Sequence, residues 1–272
     1  MMSLTRLAGY ALILQGLGLA GAALLGPLVL DVIAFRVSET MENQVVGGDV
    51  ASLLIAGPLA IVAGGLWLRE HRLAPAIAMA PSIYAVYYGI SIVVGEQYDR
   101  YPGNIEKFFP LYLGLILLGW SIAAVAWSRL RVPESDAGLS RATAGVLLVL
   151  GILLGLAWAR SIWGIASGRD LTDEYLGDPN VYWGIKLLDT AFVIPLAVAT
   201  GVGLLRDSHL ARKAACAFTG YLTCQAAAVA GMAAVMLWRD DPSASIPFLI
   251  FTGLGALALG YLTIRWLRRY ER

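Results

Sequence analysis

Pro58 to Ala74 reads PLAIVAGGLWLREHRLA, and Pro195 to Ala211 reads PLAVATGVGLLRDSHLA. One shift of 137 positions, from 58 to 195, carries the first stretch onto the second. Pro, Leu and Ala open both copies. Gly64 meets Gly201, Leu68-Arg69 meets Leu205-Arg206, and Leu73-Ala74 meets Leu210-Ala211. Further on, Tyr84 falls on Tyr221 and Pro110 on Pro247 with no gap. The pattern predicts a tandem duplication.

Both copies lie in strongly apolar surroundings. Of the 272 residues, 58% are hydrophobic and only 14% charged, where a soluble domain carries roughly a quarter charged residues. The apolar residues come in runs of about 20, the length of helix that spans a bilayer core. A backbone in lipid must satisfy its own hydrogen bonds, and these runs are continuously apolar rather than alternating. That predicts helices and not a barrel. The net charge is +1 and the basic residues are scattered, which argues against a nucleic-acid surface. Cys216 and Cys224 stand eight residues apart in one apolar segment. On a helix that is about 12 Å of rise, beyond disulfide reach.

Eight spans are predicted, at 1–34, 50–68, 73–94, 108–130, 141–166, 181–205, 211–236 and 246–267. The first resembles a secretory signal, but its partner at the same shift is 141–166, which predicts a retained helix. The fold expected is all-α. Residues 1–131 form a first four-helix repeat, 132–140 (VPESDAGLS) a cytoplasmic linker, and 141–272 a second repeat. Four spans is an even number, so the repeats should be parallel. Thirteen of the 20 Lys and Arg collect on the side of the termini and seven on the other. By the positive-inside rule both termini are cytoplasmic, and the membrane is the cell membrane. The acids favour the outer face, where the longest connections are expected at 35–49 and 167–180.

Several residues could carry chemistry. Pro58 and Pro195 lie mid-helix at equivalent places, and a proline there removes a backbone donor and kinks the helix. Interrupted helices at matching places in two halves point to a transport site, with the prolines as hinges. Tyr84, Tyr87, Tyr88 and Ser91 recur every three or four residues and form one stripe. That stripe either lines a cavity or belongs to an aromatic belt. Arg160, Lys186 and Asp189 lie at or inside span ends, where charge is costly and marks a candidate site. Lys186 and Asp189 share a helix face and can pair. At the 137 shift Lys186 replaces Asp49, while Arg160 and Asp189 replace Ala23 and Ser52. The added charges of the second half are expected to face inward, with Arg160 within pairing distance of Asp189. Interface anchors that reach water by snorkelling are the simpler alternative.

Motifs of other chemistries are missing from the sequence. His71 and His209 are the only histidines, and they cannot bracket a haem within the bilayer. There is no zinc spacing, phosphate loop or nucleophile elbow, so no metal or other cofactor is expected. The sequence reading is a polytopic membrane protein, first of all a small-solute transporter or permease with a site between the repeats near the outer leaflet. The lining would be Tyr84, Tyr87, Tyr88, Arg160, Lys186 and Asp189. A non-catalytic assembly subunit that binds a membrane-protein partner through acidic loops is the alternative. A membrane enzyme acting on a lipid-linked substrate at the outer interface, with Asp189 or Glu96 as acid or base, is the third.

Overall fold

Lipid offers no hydrogen-bond partners, so each apolar run must close its own backbone ladder, and the chain does this as helices. The computed structural model describes residues 4–169 and 171–270. Asp170 and Arg272, both counted in the charge reading, lie outside them. Among the described residues all regular structure is helical, and eight helices are long and apolar enough to cross a membrane. They are α1 (Leu4–Leu25), α2 (Glu39–Leu68), α3 (Ala74–Gly95), α4 (Phe109–Arg129), α5 (Ala137–Ala166), α6 (Pro179–Leu205), α7 (His209–Trp238) and α8 (Ile246–Tyr270). The environment that such helices fit is a lipid bilayer.

Several boundaries differ from the sequence expectation. Helix α2 begins at Glu39, not near residue 50, because Ser38 caps it by accepting the Met41 N–H. Most of the expected 35–49 connection is therefore helical. Helix α5 begins at Ala137 inside the expected linker, capped by Asp136 through the Leu139 N–H. A short helical turn, Asp173–Gly177, interrupts the connection before α6.

Neither mid-helix proline breaks its helix. In α2 the residues Ser52–Ala56 form a π-helical turn directly before Gly57-Pro58, and in α6 Asp189–Val193 do so before Ile194-Pro195. The Gly57 N–H reaches back five residues to the Ser52 carbonyl, and the Ile194 N–H to that of Asp189. A wider turn accommodates the proline ring and the missing donor without interrupting the helix. Helices α2 and α6 also end alike. Glu70 and Asp207 take left-handed φ values of 54° and 51°. The last carbonyls are closed by the bonds Glu70 to Trp67, His71 to Leu66, Asp207 to Leu204 and Ser208 to Gly203, the Schellman pattern. A second left-handed pair is Asp31 and Gly168, again 137 positions apart.

The packing is reciprocal. Helix α1 packs on the later part of α2, and α5 on the later part of α6; α3 pairs with α4, and α7 with α8. Helices α3 and α7 meet at the centre. The early part of α2 lies against α7, and the early part of α6 against α3, so each reaches across to the opposite half of the chain. At the α2–α7 crossing the backbones touch. A Cβ on Gly47 would stand 2.3 Å from Met232 backbone atoms, and one on Gly231 2.4 Å from the Gly47 carbonyl oxygen. The connections 26–38, 96–104 and 171–178 knit together on one face, called here the loop face. Gln97 N–H donates to the Arg36 carbonyl, Asn104 Nδ2 to that of Val32, and Ser38 N–H to Asp178 Oδ1. On the opposite face Arg269 pairs with Asp136.

Candidate functional site

The centre of the molecule is α3, and its tyrosines decide what faces what. Tyr84, Tyr87 and Tyr88 are all buried, so the stripe is interior rather than part of an aromatic belt. Rings from neighbouring helices surround it. Tyr84 stacks on Tyr88 at 6.0 Å, Tyr88 lies 6.0 Å from Tyr112 of α4, and Tyr87 lies 6.2 Å from Tyr221 of α7.

The hydroxyls of this stripe go to both halves of the chain. Tyr88 donates to Asp49 Oδ1 at 2.6 Å, and Tyr84 shares a 2.9 Å bond with Ser52 at the start of the π-turn of α2. Tyr87 donates to Asp189 Oδ1 at 2.9 Å, at the start of the π-turn of α6. A single helix thus contacts the polar residues at both interrupted turns. Buried polar groups need partners in a span, and the tyrosines supply them. Partner supply is incomplete: Asp49 Oδ2, Tyr112 Oη and Tyr221 Oη are buried with no partner among the described residues.

Asp189 takes a second bond from Trp158 Nε1, at 2.9 Å. Here the structure corrects an expectation. Arg160 is exposed, and the groups that hold Asp189 are Tyr87 and Trp158, not Arg160. Two positions along α5 turn the guanidinium to the other side of the helix from the indole. Lys186 is 1% exposed. Its ammonium lies 3.1 Å from the centre of the Tyr182 ring and 4.4 Å from that of Trp158, a cation–π cage. Tyr182 in turn shares a 2.6 Å bond with Ser161. Lys186 and Asp189 are therefore brought to one cluster through Trp158, which neither sequence pairing nor periodicity had singled out.

Arg160 instead lines a cavity of about 550 Å³ with Ser161, Arg169 and Thr172. A second cavity, of about 390 Å³, lies among Val94, Asn180, Trp183 and Leu187. Both lie toward the loop face. Between the halves the space is occupied by the tyrosine rings.

Pro58 and Pro195 both follow the π-turns and touch the site only through them. Glu96, at the end of α3, is buried at the loop face. Its carboxyl accepts the Arg36 N–H, and the Asn180 amide donates to its backbone carbonyl. Burial raises its pKa to about 7, against the lowering effect of the Arg36 contacts. Tyr112, Trp158 and Tyr182 are the residues that sequence reading left out of the site, since they read as ordinary membrane aromatics. Glu96, an acid closing an apolar run, entered it only as an acid or base of the lipid-enzyme reading. Among the described residues no group of three or more His, Cys, Asp or Glu is placed to hold a metal ion. Neither a protein-family model, nor a curated protein, nor a solved structure matches the chain.

Proposed function

We propose that the chain is a small-solute transporter built from two parallel four-helix repeats, 1–131 and 141–272, joined by 132–140. The observation that carries this reading is α3. Its tyrosines bond to Asp49 and Ser52 of one half and to Asp189 of the other, at the level of two π-turns set 137 positions apart. Distorted turns at matching positions, with ionisable groups beside them, are akin to the broken helices on which many transporters build a site. The repeat is supported by the shared shift of the π-turns and of the left-handed residues Glu70 and Asp207. The reciprocal crossing of α2 onto α7 and α6 onto α3 supports it as well.

Tyr84, Tyr87, Tyr88, Lys186 and Asp189 are the proposed lining, and Pro58 and Pro195 the hinges. With the tyrosine rings filling the space between the halves, the arrangement corresponds to a closed state. In a rocking mechanism the loop face and the opposite face open in turn. Spin labels in the turns at 70 and 207, and a second pair at 36 and 174, would report this in lipid nanodiscs. We expect two distance populations for each pair, with one widening as the other narrows when pH is changed. Single, pH-independent distributions for both pairs would count against transport and for a static assembly subunit. The cavity beside Arg160 and Arg169 supports a second reading, contact with an anionic lipid headgroup at the loop face.

A further inference from the structure

Asp49 presents a mismatch of acceptors inside a membrane span. Its side chain is 0% exposed. Oδ1 takes the Tyr88 hydroxyl, and Oδ2 has no donor among the described residues. A Cβ built on Gly26 would stand 2.9 Å from Oδ2, 3.4 Å from the Ala22 carbonyl oxygen and 3.7 Å from that of Ala23. The carboxylate oxygen therefore faces the last turn of α1. Ala22 already accepts the Gly26 N–H. Ala23 should accept from residue 27, but residue 27 is proline and has no N–H. Among the described residues no turn or loop N–H bonds the Ala23 carbonyl either. Two buried acceptors without a donor among the described residues thus flank the same point beside Gly26, a costly arrangement unless a hydrogen serves them.

Among the described residues no positive charge answers Asp49. The titratable groups around it are Tyr84 and Tyr88 from α3 and Tyr112 from α4. On the α1 side Asp49 faces Gly26, while its neighbours Gly47 and Gly48 meet Gly231 and Met232 of α7. An ionised, unpaired carboxylate in such a place costs far more than a neutral acid.

We infer that Asp49 is a proton-binding site: its carboxyl is protonated at neutral pH, with the Oδ2 hydroxyl directed at the Ala23 carbonyl, and it exchanges protons with the loop face through Tyr88, Tyr112 and Glu96. The route follows from neighbours. Tyr112 is buried with its ring 6.0 Å from that of Tyr88, whose hydroxyl bonds Asp49, and Glu96 ends the helix of Tyr88 at the loop face. Transfer is balanced: Glu96 takes a proton from bulk water and passes it to Tyr112, Tyr112 gives its own hydroxyl proton to Tyr88, and Tyr88 gives its own to Oδ1 of the ionised Asp49, whose carboxyl then turns to direct the new hydroxyl at the Ala23 carbonyl. Each tyrosine ends neutral, and the net change is one proton moved. As a coupling site Asp49 rests on the transport reading; as a proton site it does not.

The test is infrared spectroscopy of the full chain in lipid vesicles at pH 7, in H2O and D2O. At that pH an ordinary carboxyl, with pKa of about 4, is ionised. Beside any band of Glu96, which Glu96→Gln removes, we expect the carbonyl band of a second buried protonated acid, shifted in D2O, absent from Asp49→Asn and retained in Asp189→Asn. Tyr112→Phe should keep the band but slow its deuterium shift severalfold. Should Asp49→Asn fail to fold, dicyclohexylcarbodiimide on the unaltered protein decides, since it modifies protonated buried carboxyls. Peptide mapping should place the adduct on Asp49, in amounts that sodium does not change. No band assignable to Asp49, no adduct there, or protection by sodium would overturn the proposal. A band and adduct at Asp49 without proton-coupled flux in the same vesicles would uphold the proton site and sink the transport reading.

Discussion

Glu96 shows how a single residue at the edge of the apolar layer sets a pH response. It is buried at the point where α3 leaves the layer, and its folded pKa of about 7 lies above the ordinary value of 4.5, with burial the main cause. For an acid raised in this way the folded state holds its proton more tightly than the unfolded chain. The stabilisation is complete below about 4.5 and is lost as pH rises through about 7, up to roughly 3 kcal/mol in all. Thermal unfolding in detergent across this window should show the melting temperature falling with rising pH. Glu96→Gln should flatten that slope, and an unaltered slope would assign it to another group. Asp189 illustrates the other side of residue-scale reading. Its charge was visible in the sequence, but its partners were not, because Tyr87 and Trp158 are brought to it from two other helices.

At the scale of elements, the early parts of α2 and α6 carry the link between the halves, and they do so with different closeness. Gly47 of α2 meets Gly231 and Met232 backbone in α7. The matching residue of α6, Gly184, meets only the Val94 side chain of α3, 3.5 Å from an added Cβ. Valine in place of glycine holds the second crossing apart, and the smaller cavity lies in the gap it leaves. Gly47→Ala must therefore displace backbone. We expect it to cost about 1–3 kcal/mol as overpacking, read as a lower melting temperature, while Gly184→Ala is neutral within about 0.5 kcal/mol. Equal effects would mean that the two crossings are alike in solution.

For the whole molecule, the charge asymmetry predicts that the loop face is extracytoplasmic. The structure refines where this is tested. Arg212 is buried beside Asp207 and His209, so Arg206, which is exposed, is the better probe of the opposite face. A membrane-impermeant maleimide on intact cells should label cysteines placed at Glu39 and Glu174 and miss those at Arg72 and Arg206. Background is low because Cys216 and Cys224 are both buried. Labelling of the second pair alone would reverse the orientation.

Length and apolar composition were enough to settle the class of the fold, since a run of about 20 apolar residues in lipid has no alternative to the helix. The positions of the two mid-helix prolines and of a polar stripe on α3 were also legible, because covalent geometry and helical period act locally. What only the tertiary structure decided was partnership. Whether Asp49 sits at the interface or in the interior depended on α2 starting at Glu39. Whether Arg160 or Trp158 meets Asp189 depended on how α5 is rotated against α6. Whether two crossings are tight or loose depended on which glycine faces which backbone. These are relations between residues far apart in the chain, fixed by close packing and by the need of buried polar groups for partners. No periodicity within one segment records them.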